Sequence, residues 1–274
     1  MFLNTQKYGG KLGEIKFSKA KSKSQFQGKT KGLALKYVVE GVENYCLDGV
    51  NIPLRKGQFL LLKENEKYEV FFENKRNTIQ GICIDLNLDL DKNLVDLYEN
   101  EILFKTVFNC FTFCPLGNSF QDFSKKENDK MNGLAVLNSI SSQLISFSDD
   151  LFEMQMRLDF FAKKTETKRI LVSKLMVSKD FIYQNYNTKI TLNQLSLESG
   201  ISKFHFSKLF KSCFRKSPLE LQEFLRMEKA KKIISTKKMT LTDVAFYLGY
   251  SDLAAFSNQF KKHFGASPSS FSKY

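Results

Sequence analysis

At 274 residues the chain has room for about two domains, and 42% apolar with 26% charged residues is the balance of a globular protein that can bury a core. No run approaches the roughly 18 consecutive apolar residues of a membrane span. No signal-peptide pattern follows the lysine-rich start, and five irregularly spaced cysteines argue against a secreted disulfide framework. Export and membrane insertion are thereby excluded, and a cytoplasmic location with reduced thiols is expected. The net charge of +13 is unevenly spread: residues 168–274 hold 19 Lys/Arg against 7 Asp/Glu, and residues 1–167 hold 23 against 22. A neutral first half and a strongly basic second half suggest a polyanion partner for the second, set against the plainer alternative of a solvated basic face.

The first thirty residues, with Glu14 as their single acidic residue, read either as a partly disordered arm or as an extra edge strand. From Gly32 to Leu90 short strands follow: Leu33–Val39, Tyr45–Leu47, an Asp48-Gly49 hairpin turn, Val50–Ile52, a turn at Arg55-Lys56-Gly57, Phe59–Leu62, the alternating Tyr68, Val70 and Phe72, and Ile79–Ile84. Strands at this spacing imply a sandwich or barrel. From about Asp91 the pattern turns helical, with Leu134, Leu137, Ile140 and Leu144 on one face of a helix at 133–147 and a second helix over Leu151–Phe161. The polar run at 163–167 reads as a linker, and everything beyond it as helix.

The second half contains an internal duplication. Residues 206–218 and 256–268 share seven of thirteen positions, among them Phe206/Phe256, Phe210/Phe260, Phe214/Phe264 and Ser217-Pro218/Ser267-Pro268. Upstream, Thr191–Gly200 matches Thr240–Gly249 at an offset of 49 rather than 50, so the second copy has one more residue in the turn after its glycine. Each copy has the parts of a helix-turn-helix: a capping threonine (Thr191, Thr240), a small residue where two helices would cross (Ser196, Ala245), a glycine able to take the left-handed conformation (Gly200, Gly249), and a second helix with one apolar face. In the first copy Phe206, Leu209, Phe210 and Cys213 face inward, and Lys203, Ser207, Lys208 and Lys211 face outward, the division a major-groove recognition helix requires. Pro218–Ser235 reads as one helix of about 27 Å, close to the roughly 34 Å between successive major-groove faces. A bundle with duplicated packing units would explain the phenylalanines but not two glycine-centred turns with basic outer faces.

Over the last hundred residues the sequence resembles the AraC/XylS-type transcriptional regulators. The resemblance rests on Ser202–Lys211, on Arg226-Met227-Glu228-Lys229-Ala230, and on Gly249-Tyr250-Ser251-Asp252 with Phe256, Phe260-Lys261-Lys262 and Phe264–Pro268; more weakly, Tyr37–Gly41 and Leu54–Phe59 look like the family's sandwich. It implies an α+β protein: an N-terminal cupin-like β-sandwich with a helical dimerisation segment (1–162), a linker (163–167), and an all-α DNA-binding domain (168–274). The last would hold two helix-turn-helix motifs (191–214 and 240–264) joined by a linker helix. The function implied is promoter binding by a regulator, usually an activator, acting as a homodimer with RNA polymerase and controlled by a small molecule or a protein partner. Ser202, Lys203, Phe204, Ser207, Lys208 and Lys211 of the first motif and Leu253, Ala254, Ser257, Asn258, Lys261 and Lys262 of the second are the implied DNA contacts, with Lys208 donating to guanine or phosphate and Asn258 bonding adenine. Two departures from the family stand out: many members have an arginine at the place of Asn258, and glycine is common where Arg215 stands.

For the first half no cofactor, metal or enzymatic activity is expected. The chain's two histidines, His205 and His263, lie in the second half, which denies the sandwich a histidine-ligated metal. Tyr68 stands near a metal-cupin ligand position and is a poor substitute. Cys110 and Cys114 read as buried thiols, and neither a phosphate loop nor a nucleophile elbow occurs. Phe59, Leu61, Tyr68, Val70, Phe72, Ile82 and Ile84 either line an apolar cavity or simply form the core.

Overall fold

The computed structural model describes residues 2–20, 24–72, 79–87, 94, 96–109 and 133–271. They fall into two compact units, Met1–Ser173 and Lys174–Tyr274. Cys110 and Cys114 lie outside the described residues.

In the first unit the described strands are β1 (Phe2–Gly10), β2 (Gly13–Ala20), β3 (Ser24–Lys29), β4 (Leu33–Glu40), β5 (Val42–Leu47), β6 (Val50–Arg55), β7 (Gln58–Leu62), β8 (Lys67–Phe72), β9 (Ile79–Leu86) and β10 (Val107–Asn109). They form a six-stranded sheet in the order β1-β2-β9-β4-β7-β10 and a four-stranded sheet in the order β3-β8-β5-β6. Ala34, Val38, Leu60 and Leu62 from the first sheet pack with Tyr45, Leu47, Leu54, Val70 and Phe72 from the second, so the two sheets share one core. The Asp48-Gly49 turn joins β5 to β6 with both residues at positive φ (48° and 78°), as a tight hairpin of this type requires.

The larger sheet is covered on its other face too. Helix α1 (Gly133–Leu158) places Phe147 against Phe59 and Phe108, with ring centroids 5.8 and 4.9 Å away. Successive side chains of a strand point to opposite faces, so a strand buried on both sides carries an unbroken apolar run. This is why Phe59-Leu60-Leu61-Leu62 does not alternate: all four are fully buried.

Four expectations need correction. The lysine-rich start is not an arm or one edge strand but three strands, and β2 lies inside the sheet, paired to β1 and β9; its lysines are tolerated because Lys16 is neutralised by Glu14 and Asp85 at 2.8 and 2.7 Å. The two helices expected at 133–147 and 151–161 are one, ending at Leu158. Nothing in Ser148-Asp149-Asp150 breaks a helix, and the buried stripe runs through it as Leu144, Phe147, Ser148, Leu151, Met154 and Leu158, with Ser148 accepting from the buried Asn100 amide. The helical pattern after Asp91 begins as short 3-10 turns at Asp96–Glu99 and Glu101–Leu103, followed by β10. Helix α2 (Thr165–Gln184) then crosses the division at 173/174, so the polar 163–167 run opens a helix instead of marking the boundary.

The second unit continues with α3 (Leu192–Ser199), α4 (Lys203–Phe214), α5 (Pro218–Thr236), α6 (Leu241–Tyr247), α7 (Leu253–Phe264) and the short α8 (Pro268–Phe271). Helix α5 contacts α4, α6, α7 and α8. Its nineteen residues make it about 28 Å long. Among the described residues no helix is long and apolar enough to cross a membrane.

Candidate nucleic-acid interface

The duplication seen in the sequence is reproduced in three dimensions. Thr191 caps α3 by accepting from the Gln194 backbone N–H, and the Gln194 side chain accepts from Thr191 N–H in return. Thr240 caps α6 through Asp243 N–H. Each pair then turns in the same way: Gly200 N–H donates to Leu197 and Ile201 N–H to Ser196, while Gly249 N–H donates to Phe246 and Tyr250 N–H to Ala245. Both glycines sit at positive φ, 59° and 82°, where a Cβ is strained.

The second helix of each pair is anchored by a run of phenylalanine rings. In α4, Phe206, Phe210 and Phe214 have successive centroids 5.5 and 4.6 Å apart; in α7, Phe256, Phe260 and Phe264 have 5.7 and 4.6 Å. Phe206, Phe210, Phe256 and Phe260 are fully buried. Replacing any of these with alanine costs about 3–5 kcal/mol in a packed core, so the rings set which face of each helix turns outward.

That outward face holds the residues the sequence singled out. On α4 Lys203, Phe204, Lys208 and Lys211 are exposed and Ser207 is half-buried, with Ser202 exposed at the helix start; Phe204 is 74% exposed, unusual for a large apolar side chain. Lys208 Nζ rests 4.5 Å from the Phe204 ring centroid, a cation–π contact across one turn. On α7 Leu253, Ala254, Asn258, Lys261 and Lys262 are exposed and Ser257 is half-buried. The helix starts differ. Ser202 makes no side-chain capping bond, whereas Asp252 accepts from Ala255 N–H at 2.7 Å, which holds its carboxyl below the usual range.

The second helix of each pair ends the same way, on a residue in the left-handed region: Gly265 in the second pair and Arg215 (φ 58°) in the first. The absent glycine leaves the termination geometry unchanged and forces a side chain into it.

Sequence reasoning named Arg226 and Tyr250 only as motif letters. Arg226 Nε and Nη2 donate to the Tyr186 and Thr188 carbonyls at 2.7 and 2.9 Å, and Gln222 donates to the same two. Tyr250 donates to Glu223 while its ring lies under Arg226; burial, then the Glu223 bond, pushes its phenol up. Together these groups tie the segment after α2 to α5 and to the second turn. The signal was present in the spacing, because Gln222 and Arg226 lie one helical turn apart, but their acceptors are backbone atoms some 35 to 40 residues away. His263 packs on Phe224 and Phe264.

Comparisons with known proteins relate much of the second unit to a known family. A helix-turn-helix domain family matches residues 195–274. The probable transcription factor PqrA of Proteus vulgaris is 35% identical over 86 residues, covering 31% of this chain and 70% of that protein. The chain belongs to the AraC/XylS-type regulators. The raffinose operon transcriptional regulatory protein RafR of Pediococcus pentosaceus is 34% identical over 111 residues (40% of this chain, 38% of that one). The lactose operon transcription activator of Staphylococcus xylosus is 27% identical over 176 residues (61% and 63%). The chain thus matches somewhat under two fifths of the length of the first of these two relatives and somewhat under two thirds of the second. By this membership the second unit is a DNA-binding helix-turn-helix domain of the kind that transcriptional regulators carry.

Proposed function

We propose that this AraC-type regulator binds promoter DNA by placing α4 and α7 in adjacent major grooves of one duplex, in the cytoplasm, and that it activates transcription with RNA polymerase as a homodimer. The observation that carries this reading is the pair of outward faces, Lys203-Phe204-Ser207-Lys208-Lys211 and Leu253-Ala254-Ser257-Asn258-Lys261-Lys262, each backed by a buried phenylalanine run and joined through one helix of about groove-repeat length. Helix α4 supplies most of the base reading, with Lys208 on guanine or phosphate; α7 adds apolar contact with thymine methyls, Asn258 on adenine, and phosphate anchoring by Lys261 and Lys262. The facing sheets of the first unit act as a cupin-like sensor of a small molecule, a reading favoured over a protein effector by a cavity of about 410 Å3 between them. The stripe Phe152, Met156 and Phe160, all exposed, fits the dimerisation role of α1 and its end.

Selection of bound sites from random DNA tests this. The expected product is two short half-sites about one helical turn apart, bound with an affinity that falls steeply with salt. A single short site, or binding indifferent to sequence, overturns the two-groove reading.

A further inference from the structure

The cavity of the first unit has a specific chemistry. Lys36 sits in the middle of β4 between Ala34 and Val38, and because strand residues two apart share a face, it projects with them into the space between the sheets. Its side chain is 4% exposed as a residue and lines the cavity. Nζ bonds Tyr68 Oη at 3.2 Å and Cys83 Sγ at 2.7 Å and lies 4.5 Å from the Tyr68 ring centroid. Among the described residues no carboxylate is within ion-pair distance of it, whereas its neighbour Lys16 has two.

A buried ammonium with three N–H groups and only a phenol and a thiol as partners is under-compensated. Burial opposes its charge while Cys83, Tyr68 and Asp85 favour it, so the group stays cationic; burial also pushes the Cys83 thiol up, so the sulfur beside it supplies no fixed negative charge at neutral pH. Glu43, a carboxyl that also lines the cavity, is itself pushed up to about 7 by burial, against the pull of Tyr45 and Lys36, and accepts from Tyr45 Oη at 2.7 Å. Asp85 is taken by Lys16. Two more lysines, Lys29 and Lys31, stand exposed at the cavity wall. The rest of the lining is largely aromatic and aliphatic: Phe26, Tyr45, Tyr68, Phe72, Val70 and Ile82.

We propose that this cavity takes an organic monoanion, its acid group on Lys36 Nζ and an apolar body against Phe26, Tyr45, Tyr68 and Phe72. This rests on the reading of the first unit as a small-molecule sensor and names the chemistry it senses. The volume is at the lower end of the roughly 300–1,000 Å3 typical of small-molecule sites, and a neutral sugar would leave the Lys36 charge uncompensated.

The test uses the full chain and a ladder of phenyl-substituted straight-chain carboxylates, from phenylacetate to 5-phenylpentanoate, each beside its primary amide, with lactose as the neutral polyol. Calorimetry should find at least one carboxylate binding tenfold or more tighter than its amide. Lys36→Met should abolish that preference while leaving amide binding in place, and Lys36→Arg should retain it; the carboxylate–amide contrast in the parent protein stands even if Lys36→Met fails to fold. Equal binding of acid and amide, preference for lactose, or no carboxylate in the ladder binding overturns the proposal. DNA affinity measured with the same compounds separates the two claims. A carboxylate that binds through Lys36 without altering DNA affinity refutes the sensor reading and keeps the site. A neutral compound that binds and alters it does the reverse.

Discussion

The two helix pairs of the second unit are copies in sequence and in ring packing, yet they are supported differently. At Gly200 an added Cβ would meet only the flexible end of Lys174, at 3.7 Å; at Gly249 it would lie 2.1 Å from the Asn187 carbonyl oxygen. The first turn is therefore open and the second is wedged against the segment after α2, where Arg226 and Gln222 also hold the chain. The outer faces differ in the opposite sense, since α4 carries long basic side chains toward solvent and α7 opens with Leu253 and Ala254. Duplication has been kept where it makes each helix pair fold. It has been relaxed in how the pair is held and in what it presents.

The largest expected effect sharpens that contrast. Gly249→Ala should cost about 3–4 kcal/mol, combining a backbone clash with left-handed strain, while Gly200→Ala should cost only about 1 kcal/mol. Chemical denaturation of the two variants measures both, and equal losses would show that the turns are equivalent after all. Next comes Arg226→Ala, expected to cost about 2–3 kcal/mol because two backbone carbonyls lose a charged donor. Arg226→Lys should recover only part of this, since one ammonium cannot reproduce the two-point contact.

Lys208→Ala should weaken specific DNA binding by ~1–3 kcal/mol, a larger loss than Asn258→Ala, read in a titration against the selected site at fixed salt. Lys261→Ala should instead lower the salt dependence by roughly one counterion with little change in sequence preference. If Asn258→Ala proves the more damaging, the division of labour between α4 and α7 is reversed. The smallest effect is at the helix ends: Arg215→Gly should raise stability by about 1 kcal/mol by removing left-handed strain, whereas Gly265→Arg should lower it by a similar amount.

Local rules made much of this legible beforehand. The strands from Leu33 onward, the Asp48-Gly49 hairpin, the threonine caps and the division of α4 into Phe206-Leu209-Phe210-Cys213 and Lys203-Ser207-Lys208-Lys211 all follow from periodicity and turn chemistry. Other features were not. The lysine-rich start was misread because Lys16 is an ordinary surface residue until Asp85, sixty-nine positions away, pairs with it. Lys36 passed unnoticed inside a strand, though a lysine flanked by Leu33–Leu35 and Tyr37–Val39 was the available signal. Phe59, Leu61, Ile82 and Ile84 proved to be core, and Tyr68, Val70 and Phe72, which share one face of β8, border the cavity while Val70 and Phe72 also belong to the core; their composition is the same, and only tertiary packing separates them. The helix expected to stop near residue 147 continued because its buried stripe tolerates one serine that finds a partner in Asn100.

The amino-acid order alone determined the repeated helical units and which side of each faces water, because helix periodicity, capping and a left-handed turn residue act over a few positions. Where a buried ammonium ends up, which carbonyl lies under a glycine, and whether an apolar side chain borders a cavity or fills a core were decided only when distant strands and helices packed. Those outcomes depend on neighbours that the chain brings together from tens of residues apart, and no local pattern encodes them.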